Sequence, residues 1–178
     1  MKQTGRQRRE RLLNRSGTVG GIREQLHAQL FVQRTGFDSQ RRMGMQMNTV
    51  AGKRILYVDD EPGLALLGQE FLGDLGFLVT STFSGSEALE LFTQEDKGYD
   101  LVITDESMPG MSGIDLAKEL KRISPRTPII LCSGHLLTMQ EVGMEDTNIR
   151  AVLIKTEVCT RLPELIEKVL SEQAASAD

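Results

Sequence analysis

Tryptophan is absent from this sequence, and only six Phe and two Tyr are spread over its 178 residues. Leu, Ile, Val and Met must therefore fill the core, and the 39% apolar content is enough for one ordinary folded unit. Tyr57 and Tyr99 read as packing residues. Cysteine is sparse too: Cys132 and Cys159 alone make neither a disulfide framework nor a metal cluster. Cys132, inside an apolar run, reads as a small hydrophobe. The two histidines, His27 and His135, are far apart, so neither has a second imidazole nearby with which to bind metal. No apolar run approaches the roughly 20 residues of a membrane helix. The N-terminus also lacks the basic, apolar and small-residue order of a secretory leader. These absences predict no membrane association and a reducing, cytoplasmic setting.

Acidic residues are scarce at one end only. Residues 1–46 hold ten Lys or Arg against three acids, whereas the remainder holds eleven against twenty-two. Such a split marks a tail joined to a separate folded unit. Residues 1–50 are rich in Arg, Gln, Gly and Ser and read as a basic, disordered extension, with a weak helical spacing at Ile22, Leu26 and Leu30. A basic arm for nucleic acid or anionic lipid and a targeting segment are the functional readings of this stretch. The plainer one is an upstream extension with the natural start at Met47, because MNTVAGKRILYVDDEP reads as the beginning of a domain.

From Lys53 the pattern becomes regular. Ile55–Val58 is an apolar run short enough for a buried strand, followed at once by Asp59, Asp60 and Glu61, with Pro62 where a helix can begin. Leu64, Leu67, Phe71, Leu72 and Leu75 share a helical face that Gly76 ends. Further strands are expected at 77–80, 99–104, 129–132 and 151–154. Between them come a helix capped by Ser84, a helix with Leu116, Ala117, Leu120 and Ile123 inward, and a weaker helix over 136–142. Leu162, Leu165, Ile166, Val169 and Leu170 mark the last helix, with Pro163 in its first turn. Residues 173–178 read as a disordered tail, and Glu141, Glu145 and Asp146 as a solvated face.

Five strand–helix units in alternation, with nearly continuous apolar strands, predict an α/β fold: a parallel sheet covered by helices on both faces. Ligands of such sheets sit beyond the carboxyl ends of the strands. Those ends carry Asp59 and Asp60, then Asp105, Ser133 and Lys155. Taken singly, each has a bland reading: a loop acid, a helix cap at Asp60, a strand-ending hydroxyl, an exposed lysine. Together they can hold one octahedral magnesium ion on Asp59, Asp60 and Asp105. An aspartate beside such an ion can act as a nucleophile on phosphorus. Lys155 and Ser133 would meet the phosphoryl oxygens.

The segment 53–172 resembles the receiver domain of two-component response regulators. The resemblance is carried by VDDEP at 58–62, ITDESMPGMSG at 103–113, PIILCSG at 128–134 and the lysine of AVLIKT at 151–156. It implies a flavodoxin-like doubly wound (βα)5 sandwich with a five-stranded parallel sheet in the order 2-1-3-4-5. It also implies that Asp105 takes a phosphoryl group from a phosphohistidine on a sensor histidine kinase or histidine phosphotransfer protein. Magnesium would be held by Asp60 directly, with Asp59 nearby or acting through water, by Asp105, and by the backbone carbonyl of Ser107. Ser133 becomes the switch hydroxyl, Lys155 the phosphate partner, and Pro109 and Gly113 shape the loop after Asp105.

Two positions depart from the family pattern. Thr156 follows the lysine where proline is usual, and Val152 stands where many members carry an aromatic residue. Residues 156–161 also look slightly long. No DNA-binding or catalytic output domain follows the last helix, which predicts a single-domain regulator that is not an enzyme. Its core would bind no nucleic acid, and it would dock an unidentified downstream protein or pass phosphate on. The alternative is a phosphorylation-independent interaction module of the same fold. A hydrolase with an aspartyl nucleophile is disfavoured, because the haloacid-dehalogenase-type arrangement puts its two acids two residues apart, not adjacent as here.

Overall fold

The computed structural model of the protein describes residues 51–95, 98–134 and 146–175. All of them lie in the second of the two units into which the chain divides, Met45–Asp178. The expectations for the 1–50 extension, Met47, His135, the 136–142 helix and the acids Glu141 and Glu145 fall outside the described residues.

The strands are β1 Arg54–Val58, β2 Leu78–Thr82, β3 Leu101–Asp105, β4 Ile129–Ser133 and β5 Ile149–Ile154. All neighbours are parallel, and the sheet runs β2-β1-β3-β4-β5. The doubly wound order expected from the motifs is the one observed. Every residue of β3 and β4 is buried, as central strands covered on both faces must be, while β2 and β5 are partly exposed edges.

Four helices are described: α1 Pro62–Asp74, α2 Gly85–Gln94, α3 Gly113–Ile123 and α4 Val158–Ala175. On one side of the sheet Leu56, Val58, Val102 and Leu131 form a single core with Ala88 and Phe92 of α2 and Leu116, Ala117 and Leu120 of α3. The strand period turns Ile55, Tyr57 and Ile103 to the opposite side. There the Tyr57 ring lies against Gly68 of α1, so close that a Cβ on Gly68 would stand 2.6 Å from it.

Helix ends follow from local chemistry. Ser84 accepts from the Glu87 amide to cap α2, and Ser112 accepts from the Asp115 amide to cap α3. The end of α1 is a Schellman turn: Gly76 sits at φ +95° and donates to Gly73, while Phe77 donates to Leu72.

Several boundaries differ from the sequence reading. β2 starts at Leu78 and runs to Thr82, because the polar Ser81 and Thr82 pair with Tyr57 and Val58. β5 begins at Ile149, and a register shift at Ile129/Ile130 leaves Arg150 exposed, which hides the strand's start from an apolar-run reading. Ile123 ends α3 with its side chain 48% exposed, not inward. Helix α4 begins at Val158, directly after a 3-10 turn at Lys155–Glu157. Burial of Val158, Cys159 and Leu162 draws in this extra turn, so Pro163 lies inside the helix and not in its first turn. The helix also continues through residues 173–175, where a disordered tail was expected; the Gln173 side chain donates to the Arg126 carbonyl at 3.0 Å.

Candidate functional site

Strand register builds the site. Val58 of β1 lies between Thr82 of β2 and Thr104 of β3, so the next residues, Asp59 and Asp105, emerge side by side. The Asp59 amide continues the ladder by donating to Thr82 at 3.2 Å. Asp105 itself is opposite Cys132, and Ser133 opposite Ile154, which brings Ser133 and then Lys155 to the same edge.

The side chains converge as the register requires. Lys155 Nζ stands 2.9 Å from Asp105 Oδ1 and 3.0 Å from Asp59 Oδ2. The two carboxylates are 5% and 4% exposed and the lysine 17%. The free oxygen of Asp59 accepts from the Glu61 amide at 3.0 Å. Asp59, not Asp60, therefore organises the entry to α1, whose N-cap Glu61 makes no side-chain cap. Asp60 projects at the exposed rim, and one oxygen each from Asp59, Asp60 and Asp105 lie within 4.8 Å of one another.

Burial pushes Asp105 up from the ordinary 3.8 to about 6; Lys155 pulls against this, and Asp59 and Asp60 add to it. For Lys155, burial lowers the pKa, but Asp59 and Asp105 outweigh it and the net direction is up. An all-oxygen set of three carboxylates with one ammonium carries two net negative charges, which fits a hard divalent cation such as magnesium.

The loop after β3 holds Asp105 in place. A Cβ on Gly113 would sit 2.1 Å from the Asp105 carbonyl oxygen, so only glycine lets α3 start this close to the strand. Gly110 takes φ +80°, Met111 donates to the Pro109 carbonyl, and buried Met108 anchors the loop in the core.

A family model for the response regulator receiver domain matches residues 55–167. The chain belongs to the response regulator receiver domain family. It is 31% identical over 125 residues to the transcriptional regulatory protein GlrR of Escherichia coli, covering 70% of this chain but only 28% of GlrR. It is 29% identical to the chemotaxis protein CheY of Thermotoga maritima, covering 66% of this chain and 98% of CheY. Among solved structures, the response regulator TrrA of Thermotoga maritima, in complex with Mg2+-BeF, superposes with a TM-score of 0.59 at 32% identity, covering 66% of this chain and 98% of that one. A receiver domain protein from Clostridium thermocellum gives 0.63 at 28% identity, covering 69% of this chain and 98% of that one.

Within this receiver domain, Asp59, Asp60, Asp105 and Lys155 meet as their motifs implied. Ser107 lies on the exposed loop two residues past Asp105. Ser133 reaches the same edge, but its hydroxyl donates to Glu106 Oε2 at 2.7 Å. Sequence reasoning gave Glu106 no role; its side chain turns to the end of β4 and accepts from Ser133. Val152 is half-buried against the core, and Thr156 lies in the 3-10 turn Lys155–Glu157, which together with the first turn of α4 takes up the long-looking 156–161 stretch.

Proposed function

We propose that this receiver domain accepts a phosphoryl group on Asp105 from the phosphohistidine of a sensor histidine kinase or histidine phosphotransfer protein. The observation that carries the reading is the Lys155 ammonium spanning Asp59 and Asp105, at 3.0 and 2.9 Å. A carboxylate oxygen of Asp105 attacks phosphorus. A P–O bond forms, the P–N bond breaks, and its electron pair returns to the donor imidazole. Lys155, fixed by Asp59, is positioned to neutralise a phosphoryl oxygen as charge leaves the carboxylate. Asp59, Asp60, Asp105 and the Ser107 carbonyl would hold a magnesium ion, which would supply the remaining neutralisation. The protein acts as a phosphoacceptor in the cytoplasm and not as an enzyme turning over an external substrate. Phosphorylation biases a two-state equilibrium read by a downstream protein. No helix among the described residues is long and apolar enough to cross a membrane.

Acetyl phosphate with magnesium tests the reading. Intact mass should rise by one phosphoryl group in the native sequence and stay unchanged in Asp105→Asn. Incorporation undiminished in that variant would overturn it.

The second reading is a phosphorylation-independent interaction module. The Ser133–Glu106 hydrogen bond favours it, because the hydroxyl is already engaged without a phosphoryl group. Equal partner affinity with and without beryllofluoride would select this reading; a difference would reject it.

A further inference from the structure

The Ser133 hydroxyl has one proton to give, and it gives it to Glu106 Oε2 across 2.7 Å. Ser133 is fully buried, so exchanging this partner for bulk water is not open to it. Glu106 is fixed from both sides. Its amide donates to the Cys132 carbonyl at 2.8 Å, and its carbonyl accepts from the Gly113 amide at 2.9 Å. With the backbone tied to β4 and to the start of α3, the carboxylate is aimed at the end of β4. Two hydrogen-bonded sets thus stand side by side among the described residues of the site. Lys155 serves Asp59 and Asp105, and Ser133 serves Glu106.

We propose that Glu106 is a positioning residue whose carboxylate latches the Ser133 hydroxyl away from Asp105, so that a phosphoryl group on Asp105 must win this hydroxyl from Glu106. The proposal rests on the phosphoacceptor reading and deepens it. A phosphoryl group adds three strong acceptor oxygens beside Ser133. When the hydroxyl turns to one of them, the released carboxylate can be taken up by solvent, because Glu106 is only partly buried. A hydrogen bond to a charged acceptor resists this exchange more than one to a neutral acceptor. The latch sets how readily a phosphorylated, or mimic-loaded, molecule reaches its switched state.

The test is a double-mutant cycle with the native sequence, Glu106→Ala, Ser133→Ala and the double variant. Two quantities are read: affinity for beryllofluoride with magnesium, and urea unfolding in EDTA. Removing Glu106 also removes a negative charge near an anionic mimic, and the Ser133→Ala background isolates that effect. With Ser133 present, Glu106→Ala should tighten mimic binding about tenfold, the scale of one charge-assisted hydrogen bond. With Ser133 already replaced, the gain should fall to about twofold or less. Glu106→Gln, which keeps an acceptor but no charge, should lie between the native sequence and Glu106→Ala. The unfolding equilibria should show coupling of about fivefold or more between the two positions. Equal gain in both backgrounds would overturn the latch and leave only electrostatics. Additive unfolding would overturn it as well, whatever the mimic does. Mimic binding by none of the four proteins would instead overturn the phosphoacceptor reading, with the unfolding coupling still reporting whether the contact exists.

Discussion

Gly113 and Asp105 approach so closely that a Cβ on the glycine would lie 2.1 Å from the aspartate's carbonyl oxygen and 2.9 Å from Leu131 Cδ1. The first contact is with backbone and cannot be relieved by a rotamer change. Gly113→Ala must therefore push α3 away from β3 or tilt the peptide that carries the Asp105 side chain. Overpacking of this kind costs about 1–3 kcal/mol, and a backbone clash belongs at the upper end. Urea denaturation should give about 3 kcal/mol of destabilisation. Gly73→Ala is the matched control: nothing lies within 4 Å of its added Cβ, inside α1. Alanine there should be neutral or stabilising by about 0.5–1 kcal/mol.

Replacing Lys155 separates two effects that act in opposite directions. Lys155→Met leaves Asp59 and Asp105 buried without their common cation. Breaking such a pair costs about 3–5 kcal/mol when fully buried, less here because the edge is open at Asp60. Metal-free stability should fall by about 1–3 kcal/mol. Magnesium affinity should rise by about tenfold, because a positive charge has left the neighbourhood of the ion site. Response to beryllofluoride should be lost. Isothermal titration with magnesium and urea denaturation in EDTA measure the first two, and magnesium binding weakened by Lys155→Met would contradict the electrostatic account. Lys155→Arg should not restore function, since a larger, planar guanidinium with delocalised charge does not reproduce the compact point charge that the ammonium places between the two carboxylates.

The central strands and the acids at their ends were legible because β1, β3 and β4 are buried on both faces and carry continuous apolar runs. The site residues follow, since in a parallel sheet the residues at and just past the carboxyl ends of the strands land on one rim. Edge elements were less legible. Most of β2 is polar, with Thr80, Ser81 and Thr82 following Leu78 and Val79, and β5 is interrupted by the exposed Arg150. The start of α4 was misplaced because Pro163 looks like a first-turn residue until the buried Val158 and Cys159 are seen packing ahead of it. The pairing of Ser133 with Glu106 was not readable, because it depends on which way a side chain turns once its backbone is fixed.

The caps give predictions that leave the site alone. Ser84 holds the first turn of α2 through the Glu87 amide, and Glu87 in turn accepts from the Phe83 amide and the Thr82 hydroxyl. These bonds hold the Glu87 carboxyl below its usual range. A depressed carboxyl contributes stability that is present above its unfolded pKa and is lost as pH falls through the folded one. Ser84→Ala should cost about 1 kcal/mol in urea denaturation. Glu87→Gln should flatten the acid limb of the stability profile below about pH 4.5. Neither should change phosphoryl incorporation at Asp105; loss of incorporation in Ser84→Ala would mean that α2 is coupled to the site.

Asp105 runs the other way. Burial first, then the neighbouring Asp59 and Asp60, raise it to about 6 against the pull of Lys155. A group raised on folding stabilises the protein while protonated, and that contribution is lost as pH rises through the folded value. Metal-free stability should therefore decline between about pH 4 and about pH 7. Asp105→Asn should remove that decline and be the more stable protein at about pH 7. A proton on Asp105 also competes with a cation. Lowering the pH from about 7 to about 5 changes the ionised fraction of a group near 6 by about tenfold, so apparent magnesium affinity should fall by about the same factor. Titration calorimetry at the two pH values checks this. An affinity independent of pH in this window would mean that the carboxylate of Asp105 is not among the ligands, and that Asp59 and Asp60 hold the ion without it.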